Sequence, residues 1–222
     1  MKPTANEDPG FDWEFVSTMI AGRPFSLAVA SDPDGMLIDA CERQDAGESG
    51  VIDPFWATTW RAAAGLDAFM DRLTLDRVRV LELGCGTGHV GIAAARRGAI
   101  VTMTDGVNDP LDLVRHSIAP LDPPPTLQRL RFGMDRLDVD RFPIIFGSDV
   151  TYLRTLWPQL DDCLRDHLAT QGRVYLSDPF RFIADEFRER LDREYWDYVE
   201  HTVRMEDDPE HPIRVMELTR RC

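Results

Sequence analysis

The chemistry of this chain starts at a run of glycines that follows an apolar strand. Val80-Leu81-Glu82-Leu83-Gly84-Cys85-Gly86-Thr87-Gly88 reads as strand, tight loop and helix start. Glycines let backbone N–H groups approach a ligand closely, and a helix start favours negative charge. Such a loop alone suits dinucleotide binders equally well. The spacing here is E-x-G-x-G-x-G, not the wider G-x-G-x-x-G. Glu82 stands just before the glycines, where an anion suits an ammonium group but not a pyrophosphate. Asp105 ends the next strand, placed to accept both hydroxyls of a ribose. A ligand carrying both an ammonium and a ribose points to S-adenosylmethionine, with Glu82, Gly84, Gly86, Gly88 and Asp105 as cofactor-binding residues.

A third acid, Asp149, follows the short apolar strand 143–148. An acid at the carboxyl end of a parallel strand faces the ligand crevice, although the same residue would serve as a helix N-cap. Asp149 and Tyr152, three residues on, are the candidate catalytic pair, and Asp149 also borders the cofactor. Trp56 and Trp60 read as binding-site aromatics or as core. Phe132 reads as an adenine contact or as core filling, and Asp178 as a helix cap or a substrate contact. His89, His116, His167, His201 and His211 are scattered without metal-ligand spacing, so no metal site is expected.

These residues need strands and helices to hold them. Residues 11–40 alternate apolar and polar around Asp32-Pro33-Asp34-Gly35, which reads as a small β lead-in with a turn. Residues 42–53 read as a loop. Helices are expected over 57–72, 89–97 and 111–118. A further one carries Leu153, Leu156, Trp157, Leu160, Leu164 and Leu168, and another carries Ile183, Phe187 and Leu191. Strands are expected over 78–83, 100–104, 126–132, 143–148, 173–177, 195–204 and 213–219, the last two antiparallel. Alternating strands and helices define an α/β fold with a largely parallel sheet.

The motifs resemble those of class I S-adenosylmethionine-dependent methyltransferases. More narrowly, they resemble lysine methyltransferase family 16, and within it the enzymes that modify the electron-transfer flavoprotein β-subunit. Trp56-Ala57-Thr58-Thr59-Trp60 is similar to that family's W-A-x-x-W, and Asp149-Val150-Thr151-Tyr152 to its D-x-x-Y. Leu130-Arg131-Phe132-Gly133 is similar to its L-D-W-G element beside the adenine, and Ser177-Asp178-Pro179 to its fifth-strand end. The likeness covers about residues 54–180. The chain departs from the pattern at Arg61, Ser117, Arg131 and Phe132. The resemblance implies a Rossmann-like fold of seven strands, mostly parallel, in the order 3-2-1-4-5-7-6 with helices on both faces. It also implies Trp60 and Phe132 as cofactor contacts and a lysine acceptor on a protein. The small N-terminal β lead-in and the first helix are expected to lie over the cofactor as a partial lid.

With 222 residues, the chain reads as a tail (1–10), a lead-in and loop (11–53) and one methyltransferase domain (54–222). The net charge of −14 repels a phosphate backbone or an anionic bilayer and suits a cationic partner. Cys41, Cys85, Cys163 and Cys222 form no C-x-x-C pair, and the first residues lack a signal-peptide pattern, which together suggest the cytoplasm. A small-molecule N- or O-methyltransferase is the alternative to a protein-lysine enzyme. A module that binds the cofactor without transfer is disfavoured by the intact Glu82, Asp105 and Asp149.

Overall fold

The computed structural model describes residues 9–221, so the expected tail lies outside the described residues except for Pro9 and Gly10. The chain opens with an antiparallel hairpin of β1 (Trp13–Ile20) and β2 (Arg23–Ala30). Its turn is at Ala21 and Gly22, both with positive φ, the backbone that matches the twist of a two-residue hairpin. Asp32-Pro33 is not a turn between strands. It starts a helix, α1 (Pro33–Asp45), where Asp32 Oδ1 accepts from the Gly35 N–H at 2.9 Å and proline takes the first turn. Asp-Pro suits a tight turn and a helix cap alike, because both need the same local geometry. The expected loop over 42–53 is therefore helical as far as Asp45.

The remainder is the expected α/β layer structure. It comprises α2 (Arg61–Phe69), β3 (Arg79–Leu83), α3 (His89–Ala95), β4 (Ile100–Asp105), α4 (Asp109–Ile118), β5 (Thr126–Arg129) and β6 (Phe142–Ser148). These are followed by α5 (Trp157–His167), β7 (Leu168–Asp178), α6 (Phe182–Arg190), β8 (Trp196–Val203) and β9 (Ile213–Arg220). The helix expected over 57–72 breaks at Trp60, whose extended backbone precedes α2, and ends in a short 3-10 turn. Leu168 leaves the expected helix and begins β7. The strand expected to reach Phe132 stops at Arg129, because residues 131–133 turn through a positive-φ Gly133.

The sheet runs β5-β4-β3-β6-β7-β9-β8. Counted from β3, that is 3-2-1-4-5-7-6. All neighbours from β5 to β7 are parallel, and β9 is antiparallel to β7 and β8. The central strands are buried on both faces and so read as nearly continuous apolar runs. Val80, Met103, Phe146 and Tyr175 pack against α2, α3 and α4. Leu81, Leu83, Ile145, Val174 and Leu176 pack against α5 and α6.

The hairpin docks beside the helices, not over the strand ends. The Ala28 N–H donates to Ser117 Oγ on α4 at 2.8 Å, and Trp13 stacks on His116 with ring centres 4.2 Å apart. At the hairpin tip, the Ala21 N–H donates to Asp67 on α2, which also holds His89 Nε2 at 3.0 Å and Arg97 Nη1 at 2.7 Å. Burial works against the Asp67 charge, but these hydrogen bonds outweigh it and lower its pKa. Ser117, a departure from the family pattern, thus fastens the hairpin to the sheet layers. The segment that approaches the glycine loop is 54–60, just ahead of α2, and Phe11 of the lead-in packs on its Trp56 at 5.1 Å. There, a Cβ on Gly86 would sit 3.3 Å from the Trp56 carbonyl oxygen.

Candidate active site

The carboxyl ends of β3, β4, β6 and β7 meet along one edge, because parallel strands present the same end to the same side. The glycine loop leaves β3 there. Gly84, Gly86 and Gly88 all have positive φ, and Gly88 serves as the N-cap of α3. A Cβ on Gly88 would come within 2.8 Å of Val114, so both the backbone turn and the packing of α4 require glycine.

Glu82 lies beneath this loop, 2% exposed. Burial, partly offset by a hydrogen bond from the Gly91 N–H and reinforced by the Asp105 charge, pushes its pKa up to about 8. Its Oε2 has no hydrogen-bond partner among the described residues, and a Cβ on Gly91 would stand 2.3 Å from it. Asp105, at the end of β4, is half-buried. Its Oδ2 accepts from the Gly86 N–H at 3.1 Å, tying the second strand end to the loop, and burial raises its pKa. The Leu130 N–H bonds to the Asp105 carbonyl at 2.8 Å, so the turn that carries Phe132 begins at that strand end. Phe132 itself is partly buried against the cluster containing Leu81 and Leu130. Arg131, in place of the family's aspartate, closes the same turn through a two-pronged pair with Asp135.

Asp149 follows β6 in a left-handed conformation, φ 56°, with its N–H donating to the Ser177 carbonyl. It is 7% exposed. Both of its oxygens accept from Arg181: Oδ1 from Nε and Oδ2 from Nη2, each at 2.8 Å. The Arg181 guanidinium also lies 5.3 Å from the ring centre of Trp60. Trp60 donates its indole N–H to the Phe55 carbonyl at 2.8 Å, and Phe55 meets Tyr152 edge-on at 5.7 Å. Tyr152 is half-open to solvent. Burial, and then the charges of Asp105, Asp53 and Asp149, raise its pKa, so the phenol keeps its proton at neutral pH. Trp60, Tyr152 and Asp149 are thus linked through Phe55 and Arg181 at one partly open face, the candidate mouth of the site. Arg61 next to Trp60 holds the β8–β9 loop through Asp208 and the His211 carbonyl, which accounts for arginine at that position.

Asp178 is not part of that mouth. Arg214 grips both of its oxygens at 2.9 Å in a pair that is almost wholly buried, and Asp178 also accepts the Arg181 N–H. It closes the turn that leads into α6, but α6 itself starts at Phe182 without a side-chain cap, so the expected helix cap is not seen. Sequence reasoning missed Phe55, Arg181 and Arg214. No spacing marks them, because each meets its partner only through the tertiary fold.

A seven-stranded sheet of this order, with a glycine loop after its first strand and acids at successive strand ends, is the class I methyltransferase fold. The chain belongs to the lysine methyltransferase family, whose model matches residues 45–200. It is similar to the EEF1A lysine methyltransferase 3 of Mus musculus, 32% identical over 131 residues, which are 56% of each chain. It is also similar to the electron transfer flavoprotein beta subunit lysine methyltransferase of Xenopus laevis, 30% identical over 142 residues, 58% of this chain and 54% of the relative. The chain thus spans little more than half the length of these relatives. Its fold is like that of a TehB-like SAM-dependent methyltransferase from Corynebacterium glutamicum, with a TM-score of 0.58 and 16% identity, covering 85% of this chain and all of the other. The cofactor of this class is S-adenosylmethionine. The site fits it: Glu82 offers a buried oxygen without a partner, and a glycine cradle opens onto Asp105.

Proposed function

We propose that this chain transfers a methyl group to a lysine side-chain nitrogen on a protein partner. The observation that carries the reading is Asp149, a nearly buried carboxylate at the end of β6 in a mouth lined by Trp60 and Tyr152. Such an arrangement recognises a cationic alkylamine. The names of the relatives, which refer to lysine methylation of EEF1A and of a flavoprotein subunit, support a protein acceptor.

In this reading, Gly84, Gly86 and Gly88 hold the amino-acid end of the cofactor through backbone N–H groups at the start of α3, with Glu82 serving its ammonium. Asp105 takes the ribose hydroxyls, and Phe132 and Trp60 flank the ligand. When bound, S-adenosylmethionine supplies an electrophilic methyl group on a sulfonium. What remains for the protein is to place the acceptor in line with it. A lysine amine must be neutral to attack, against a reference pKa of about 10.4. Desolvation among Phe55, Trp60 and Tyr152 and the positive sulfonium of the bound cofactor favour that form, against the pull of the Asp149 carboxylate toward the ammonium. Asp149 orients the nitrogen and stabilises the charge it gains on methylation, and the Tyr152 hydroxyl aligns it. No general base is needed beyond water at the open mouth.

The domain comprises residues 54–222, with 11–53 as its flank. The charge of −14 favours a basic protein face over nucleic acid or an anionic membrane. No helix among the described residues is long and apolar enough to cross a membrane. Cys41, Cys85 and Cys163, which form no disulfide among the described residues, suit a reducing cytoplasm. The test is incubation with methyl-labelled cofactor and a cell lysate. Label on protein lysines is expected, whereas label only in small molecules would favour the small-molecule alternative, and no label would leave a cofactor-binding module.

A further inference from the structure

Two arginine–aspartate pairs stand side by side at the ends of β6 and β7, built alike but set in different surroundings. Asp178–Arg214 is sealed, with side chains 1% and 2% exposed. In Asp149–Arg181 the acid is similarly buried, but the arginine side chain is 38% exposed. Arg181 reaches the acid from the solvent side, with its guanidinium between a carboxylate and the face of Trp60. A carboxylate on one side and an aromatic face on the other are the groups that bind an alkylammonium.

We propose that Arg181 occupies the acceptor subsite of the free protein as an internal surrogate for the substrate cation, and that the incoming lysine displaces it. This rests on the reading of Asp149 as the acceptor-side acid. The exchange needs no backbone movement. The Arg181 N–H stays bonded to Asp178 Oδ1 at 2.9 Å, and Asp178 is itself held by Arg214, so only the flexible arginine stem swings out. The released guanidinium, already 38% exposed, goes directly into water. During the exchange Asp149 is not left buried without a counter-charge, the arrangement that would cost most.

The arrangement also selects the acceptor. A lysine entering as its ammonium can replace the guanidinium at Asp149, because charge is exchanged for charge, and it gives its proton to water at the mouth before it attacks. A neutral hydroxyl cannot, because it would have to break a two-pronged charged pair and leave the carboxylate uncompensated. Arg181 is therefore a specificity-determining residue that admits cationic alkylamines and rejects alcohols of the same length.

The test is titration of n-butylammonium and 1-butanol into the cofactor-free protein, followed by NMR. Arg181→Ala should bind butylammonium at least about tenfold more tightly than wild type. Arg181→Lys should fall between them, and Arg181→Ala combined with Asp149→Asn should lose the gain. Butanol should bind neither wild type nor Arg181→Lys. An unchanged butylammonium affinity in a folded Arg181→Ala protein would overturn the proposal. So would an equal gain in the double variant, because the gain would then not come from Asp149. If Arg181→Ala fails to fold, Arg181→Lys decides by the same comparison with wild type. Absence of lysine label in the lysate assay would sink the functional reading alone, because this titration uses neither cofactor nor turnover.

Discussion

Asp149 and Arg181, 32 residues apart, are joined by two parallel hydrogen bonds of 2.8 Å, so the acid expected to face an acceptor is already holding a cation. The pair divides the site into two halves. Glu82, the glycine loop and Asp105 form the half ending β3 and β4, and Asp149, Trp60 and Tyr152 form the half ending β6.

That division predicts separable losses. Asp149→Asn keeps the shape of the side chain but removes the charge proposed to position the acceptor and stabilise the product ammonium. Turnover should fall by roughly 10²-fold or more, the scale for losing one preorganised electrostatic group. Cofactor affinity should change far less. Calorimetry for the cofactor and a rate assay for methylation check the two quantities separately, and a wild-type rate would reduce Asp149 to a structural role.

Asp105 should behave in the opposite way. Its carboxylate accepts from Gly86 and ends the strand beside the loop, placing it to take charge-assisted hydrogen bonds from a ribose. Asp105→Ala should weaken cofactor binding by about 1.5–3 kcal/mol. Isothermal titration on a variant with a native circular-dichroism spectrum measures this, and unchanged affinity would remove the assignment.

Glu82 makes stability depend on pH. Chiefly through burial, its carboxyl titrates at about 8 in the folded chain, against about 4.3 when unfolded. Between those values the folded state keeps a proton that the unfolded state has lost, so stability falls as pH rises, by up to about 1.4 kcal/mol per pH unit. Below the lower value the contribution is fully present. In urea titrations of the cofactor-free protein, the stability difference between wild type and Glu82→Gln should therefore shift steadily in favour of the variant from about pH 5 to pH 8. A difference that does not vary with pH would contradict the assignment.

Arg214 should matter for folding. It stands opposite Asp178 in the antiparallel register of β7 and β9 and is the main partner of that buried carboxylate. Arg214→Met leaves the acid without its counter-charge and should cost about 3–5 kcal/mol. Replacing both members, Arg214→Met with Asp178→Asn, should recover much of that loss. Chemical denaturation of the three variants decides the point, and a double variant no better than the single would argue against an unpaired charge as the cause.

The cofactor half of the site was legible in the sequence because it is local. Strand, glycine loop and helix start are consecutive, and Asp105 lies one strand further on, so hydrophobic periodicity and glycine spacing were enough to find them. The alternation of strands and helices likewise indicated the layers, since each element buries a face whose period is written in its own residues. Local signals failed where one short pattern suits two structures. Asp32-Pro33 caps a helix where a turn was expected, and the Leu153 to Leu168 stripe crosses from α5 into β7. The acceptor half depended on long-range pairing. Asp178 meets Arg214 because β9 runs antiparallel beside β7, and Asp149 meets Arg181 because the β7–α6 connection folds back across the end of β6. Nothing near either aspartate names its partner. Whether a strand-end carboxylate is sealed in a structural pair or left within reach of an acceptor depends on which distant cation the packing brings to it and how much water stays beside it, and both are properties of the assembled fold.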